Sequence, residues 1–148
     1  MAIILIDTNV LVYAYDRGEP QKQQQAVGVL DALFTNGAGI LSAQTLAEFF
    51  RAVTRGTTPI LPVEQAYTQV QDLSQAWIVL DVTSAIVLEA ARGVQDHQLA
   101  YWDAQIWATA KLNQIAAIFT EDFPSAAVIE GVQFVNPFAS DFVLENWI

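Results

Sequence analysis

The sequence predicts an α/β domain built on a mainly parallel sheet. Three observations point there. Short aliphatic runs alternate with stretches of helical periodicity, the pattern of strand–helix units. The aliphatic runs are apolar at successive positions, as strands covered on both faces are. At 148 residues the chain suits one compact domain, residues 1–148, with no linker-like stretch to divide it.

The elements follow in order. Strands are expected at Ala2–Ile6, Gly39–Leu41, Ile78–Leu80, Ala117–Thr120 and Gln133–Val135. Helices are expected at Asn9–Tyr15, Gln21–Phe34, Thr45–Arg55, Val63–Ala76, Ser84–Val94 and Tyr101–Asn113. Asn36-Gly37 and Gly56 mark helix ends, and Pro59 and Pro62 frame the loop before the fourth helix. The glutamine-rich run Gln21–Gln25 reads as a solvated helix face.

Composition excludes several classes. No stretch approaches the roughly 20 apolar residues needed to span a bilayer. The N-terminus lacks a basic region and Asp7 interrupts its apolar run, so no signal peptide is expected. Without cysteine there are no disulfides or thiolate metal sites, which fits a reducing cytoplasm. The single histidine, His97, lies in a polar connector and excludes a multi-histidine zinc site. The net charge is −10, and the only bases are Arg17, Lys22, Arg51, Arg55, Arg92 and Lys111. Proteins that grip nucleic acid unaided carry a basic patch. Either nucleic acid is not the substrate, or metal ions and a few bases neutralise it, or the acidic field serves a basic partner.

Against this background the acids Asp7, Glu48, Asp103 and Asp122 are out of place. Asp7 ends a buried-strand pattern, and Asp122 follows the run Ile115–Phe119. Asp103 shares a helical face with Ile106, Trp107 and Ala110 on the core side. Isolated carboxylates are costly to bury, so acids placed this way are paired, protonated or bound to a cation. If they converge, they make an oxygen-donor site for a hard cation such as magnesium or manganese. Each has a simpler reading as well. Asp7 suits a helix N-cap, and Thr45-Leu46-Ala47-Glu48 forms a capping box. Glu48 points away from the apolar face of Leu46, Phe49, Phe50 and Val53. Glu121 and Asp122 are adjacent, so in extended chain only one faces any shared site. Parallel-sheet topology favours convergence, because ligands bind beyond the carboxyl ends of such strands.

These residues resemble the motifs of PIN-domain nucleases. Leu5-Ile6-Asp7-Thr8-Asn9-Val10-Leu11 is similar to the first motif, and Leu41–Phe49 to the second. Asp103–Ala110 resembles the third, Phe119-Thr120-Glu121-Asp122-Phe123 the fourth, and Gly131–Phe138 the family's final strand. The resemblance implies a three-layer α/β/α sandwich with about five strands, and a ribonuclease dependent on Mg²⁺ or Mn²⁺. It implies a VapC-type toxin that is cytoplasmic, dimeric and restrained by an antitoxin protein. Carried over by motif, Asp7, Asp103 and Asp122 are metal ligands, Glu48 completes the catalytic cluster, and Asn9 and Thr120 support it. Arg51, Arg55 and Lys111 are the candidate RNA contacts. The paired acids of the fourth motif depart from the family pattern, and alignment on Thr120 favours Asp122 over Glu121. Two other readings are a non-catalytic metal- or protein-binding module and a haloacid-dehalogenase-like phosphotransferase. The latter needs a second acid where this chain has Asn9.

Overall fold

The computed structural model describes residues 2–123 and 127–148. In chain order the elements are β1 (Ile4–Ile6), α1 (Thr8–Tyr13), α2 (Pro20–Thr35), β2 (Gly39–Ser42), α3 (Ala43–Thr54), α4 (Val63–Ala76) and β3 (Val79–Leu80). There follow α5 (Ser84–His97), α6 (Tyr101–Leu112), β4 (Ala117–Phe119), β5 (Val128–Ile129) and β6 (Val132–Val135). A short 3₁₀ turn, Leu144–Asn146, lies near the C-terminus. Strand order is β3-β2-β1-β4-β6-β5. Every pairing is parallel except the hairpin of β5 with β6.

Successive strand residues point to opposite faces, and that alternation builds two cores. Ile4 and Ile6 of β1 join one, with Leu11, Leu33, Phe49 and Phe119. Leu5 joins the other, with Ile86, Ile106, Trp107, Ile118 and Phe134. Helices α1 to α4 therefore cover one face, and α5 and α6 cover the other. Each large apolar side chain so enclosed contributes about 1.5–3 kcal/mol. α5 and α6 approach closely at Gly93 of α5, where a Cβ would come within 2.7 Å of the Trp107 ring of α6.

The fold class is the one expected, a mainly parallel sheet between two helical layers, with differences at the ends of elements. β1 begins at Ile4 because Ala2 and Ile3 are exposed and have no second core to enter. α3 begins at Ala43, capped by Ser42, so Thr45 lies inside the helix and is not its cap. α5 runs through His97, which is not in a connector but in the last helical turn. A sixth strand, β5, reaches β6 through the turn Glu130-Gly131, both at positive φ (48° and 85°).

Candidate active site

β1 and β4 are neighbours at the centre of the sheet, and the chain order runs away from them in both directions. Such a switch point leaves a crevice beyond the carboxyl ends of the strands. Ile6 pairs with Phe119, so the residues that follow them, Asp7 and Thr120, lie side by side. Thr120 Oγ1 donates to Asp7 Oδ2 and the Thr8 N–H to Asp7 Oδ1, each at 2.7 Å. Asp7 is thus the N-cap of α1 and also a wall of the crevice. It is 6% exposed. Burial raises its pKa to about 6 against the hydrogen bonds from Thr120 and Thr8, and the charges of Asp122 and Glu48 add to the rise.

Glu48 is in the second turn of α3. The helix start is satisfied by Ser42 Oγ, which accepts from the Thr45 N–H at 3.1 Å. Thr45 sends its own hydroxyl to the Ile6 carbonyl at 3.2 Å, tying α3 to the end of β1. Glu48 is therefore not a capping residue. Its Oε1 accepts from Gln44 Nε2 at 2.9 Å and Thr8 Oγ1 at 3.4 Å. Gln44 Nε2 also donates to the Trp102 carbonyl at 2.9 Å, and Gln105 Nε2 donates to Gln44 Oε1 at 3.0 Å. This buried amide pair ties α3 to α6. The sequence reading passed over Thr8, Gln44 and Gln105, although two amides inside apolar helical patterns were a usable signal.

Asp103 is in the first turn of α6, half-buried rather than directed into the core. Burial raises its pKa, and Asp122 and Glu48 raise it further. Both Asp7 and Asp103 therefore sense the same two acids. Asp122 is exposed, and its N–H donates to Thr120 Oγ1 at 3.1 Å. Glu121 turns the other way, accepting from Lys22 Nζ and the Tyr13 hydroxyl, each at 2.6 Å. Burial opposes ionisation of Glu121, but these two bonds outweigh it and hold its pKa below the usual value. Asn9 braces the same corner: its Oδ1 accepts from the Glu121 N–H at 3.3 Å and its Nδ2 donates to Thr120 Oγ1 at 3.4 Å.

A cleft of about 730 Å³ opens over this corner, its lining including Thr8, Glu48, Arg51, Arg55, Trp102 and Asp122. Lys111 is not among the lining residues. Its ammonium bonds Glu89 at 2.7 Å and Glu130 at 2.9 Å, in a network with Arg92 and His97 that fastens the β5–β6 turn to α5 and α6. Among the described residues no Lys, Arg or His forms an ion pair with Asp7, Glu48, Asp103 or Asp122. Among those residues, too, no three Asp, Glu or His side chains are grouped tightly enough to hold a metal ion as they stand. What the corner offers is a hard-oxygen donor set without a balancing cation, which suits Mg²⁺ or Mn²⁺ in donor type and charge.

Several solved structures share the fold. A toxin–antitoxin complex from Klebsiella pneumoniae aligns with a TM-score of 0.66 at 20% identity, over 91% of this chain and 98% of that one. FitAcB from Neisseria gonorrhoeae gives 0.63 at 24% identity, over 91% and 98%. The VapC20 toxin of Mycobacterium tuberculosis, described as cleaving the sarcin-ricin loop, gives 0.62 at 19% identity, over 86% and 97%. No curated protein matches the sequence. The family model described as PIN domain matches residues 4–124, a span that holds all four acids and both central strands. The chain belongs to the PIN domain family.

Proposed function

We propose that this chain is a divalent-metal-dependent endoribonuclease that hydrolyses RNA phosphodiesters, and that it is the toxin of a toxin–antitoxin pair. The observation that carries the reading is that Asp7 and Asp103 both feel the charges of Asp122 and Glu48 beside the central switch point, with no cationic partner for the four among the described residues. Two carboxylates about 5 Å apart repel by roughly 3 kcal/mol at an effective dielectric near 20. Keeping several together costs folding stability, so the arrangement is better explained by what it binds than by what it stabilises.

Asp7, Asp103 and Asp122 would hold the ion, with Glu48 completing the acidic set. A bound divalent ion would neutralise the scissile phosphate and lower the pKa of attacking water. The protein's own part is positional. Thr120 and Thr8 fix both oxygens of Asp7, Gln44 and Thr8 aim Glu48, and Asn9 with Thr120 holds the loop that presents Asp122. Arg51 and Arg55 stand in the same cleft, where they would meet flanking phosphates.

An antitoxin partner is supported by the relatives, since similar folds occur in toxin–antitoxin complexes. Exposed apolar side chains such as Leu88, Ile78 and Tyr67 are in keeping with a protein partner, either an antitoxin or a second copy of the chain. No helix among the described residues is long and apolar enough to cross a membrane. A cytoplasmic site of action belongs to the toxin reading, whose target is cellular RNA.

The test is cleavage of single-stranded RNA with manganese by the parent chain and by Asp7→Asn. Loss of at least about 100-fold in rate is expected on the scale of electrostatic catalytic groups. Undiminished cleavage by Asp7→Asn would rule the mechanism out, and an inactive parent chain would favour a non-catalytic module.

A further inference from the structure

The six bases of the chain are unequally available. Lys22 is bound to Glu121, Arg92 to Glu89, Asp96 and Glu130, and Lys111 to Glu89 and Glu130. Among the described residues only Arg17, Arg51 and Arg55 lie outside ion pairs, and only the last two line the acidic cleft. Two guanidinium groups beside Glu48 and Asp122 are a weak electrostatic grip for a polyanion. A contact that does not depend on charge would strengthen that grip.

Trp102 has the properties required. Of the four tryptophans it is the exposed one, with 62% of its surface open, whereas Trp107 is fully buried and Trp77 and Trp147 are partly so. It lines the cleft with Arg51 and Arg55. Its backbone is fixed because Gln44, which also bonds Glu48, holds its carbonyl. The Tyr101 ring meets it edge-on at 5.0 Å, supporting the indole while leaving its surface open. It immediately precedes Asp103, so its place relative to the acids is set by the first turn of α6.

We infer that Trp102 is a stacking platform for one unpaired base of the substrate, making the cleft selective for single-stranded over duplex RNA. This rests on the nuclease reading and extends it to the form of the substrate. A base inside a duplex is stacked on both sides and cannot present its ring to the indole, whereas an unpaired base can. Binding divides into two separable parts. Arg51 and Arg55 supply a salt-dependent part with a slope of log affinity against log salt near −1.4, for two phosphates on a single strand. Trp102 supplies a part that salt does not weaken.

Binding is read by fluorescence anisotropy with a labelled RNA of about 12 nucleotides, single-stranded or as a blunt duplex, on the Asp7→Asn chain in manganese. Cleavage is read separately on the parent chain. The single strand is expected to bind more tightly than the duplex. Trp102→Ala is expected to weaken it about 10-fold with an unchanged salt slope, and Trp102→Phe to stay within about 3-fold of the parent. Arg51→Ala is expected to flatten the slope by about 0.7. Equal binding of single strand and duplex overturns the inference. So does Trp102→Ala that binds like the parent, the result expected if the indole docks a protein instead, or a loss that phenylalanine does not recover. Trp102-dependent binding in a chain that never cleaves RNA supports the platform and removes the nuclease reading.

Discussion

The Asp7 carboxyl titrates near pH 6 because burial withdraws it from water, and Thr120 and Thr8 only partly compensate. Its pKa is raised above the ordinary value of 3.8, so its contribution to stability is fully present below about pH 4 and is lost as pH rises through 6. A shift of this size corresponds to the order of 3 kcal/mol. In metal-free buffer, Asp7→Asn is expected to match the parent near pH 4 and to become more stable than it by up to about 3 kcal/mol at pH 7.5. Urea unfolding across that pH range measures it, and a difference that does not grow with pH would contradict the electrostatic origin. The same scale shows where sequence reasoning stopped. Glu121 and Asp122 are neighbours in an extended loop, and alternation says only that they point apart. The choice is made by Lys22 and Tyr13, remote in sequence, which draw Glu121 aside.

At the scale of elements, the loop after β4 is held from three directions. Lys22 of α2 and Tyr13 of α1 hold Glu121, while Asn9 of α1 and Thr120 brace the backbone on either side. This gives Glu121, the extra acid of the fourth motif, a structural purpose in this chain. Groups that orient ligands without touching the ion commonly change metal affinity by about 10-fold or more. Glu121→Gln is therefore expected to weaken manganese binding by about 10-fold in calorimetry, with a much smaller effect on the melting temperature. Exchanging the pair, Lys22→Glu with Glu121→Lys, is expected to recover part of the loss. Unchanged manganese affinity in Glu121→Gln would mean that the loop keeps its shape without the clamp. Elements were legible where a long apolar pattern defined them, as in α6 or β4. β5 was not, because one exposed and one half-buried residue carry no periodicity and only the tight Glu130-Gly131 turn makes them pair. The capping box misled because Ser42 and Thr45 are both hydroxyl residues three apart. Only the fold shows that Thr45 is buried and bonded to Ile6.

For the whole molecule, the fold class and the side-by-side placing of Asp7 and Thr120 were legible for one reason. Aliphatic strands covered on both faces dictate a parallel sheet, and a parallel sheet gathers the residues after its central strands at one edge. Asp7 and Thr120 follow from that rule directly. The amide bridge between α3 and α6 did not, because it depends on how two helices on opposite faces of the sheet meet past its edge. Nor did the engagement of half the bases, Lys22, Arg92 and Lys111, in ion pairs with acids remote in sequence.

The central claim is that acids from four separate segments make one cation site, and thermal unfolding during a manganese titration tests it most directly. At a concentration 100 times its Kd the ion should add about 2.7 kcal/mol to stability. In a chain of this size that is a rise of about 5–10 °C in the melting temperature. The parent chain is expected to show this rise, and Asp103→Asn and Asp122→Asn are each expected to lose most of it. A parent chain whose melting temperature ignores manganese, or variants that respond as fully as the parent, would contradict a shared site.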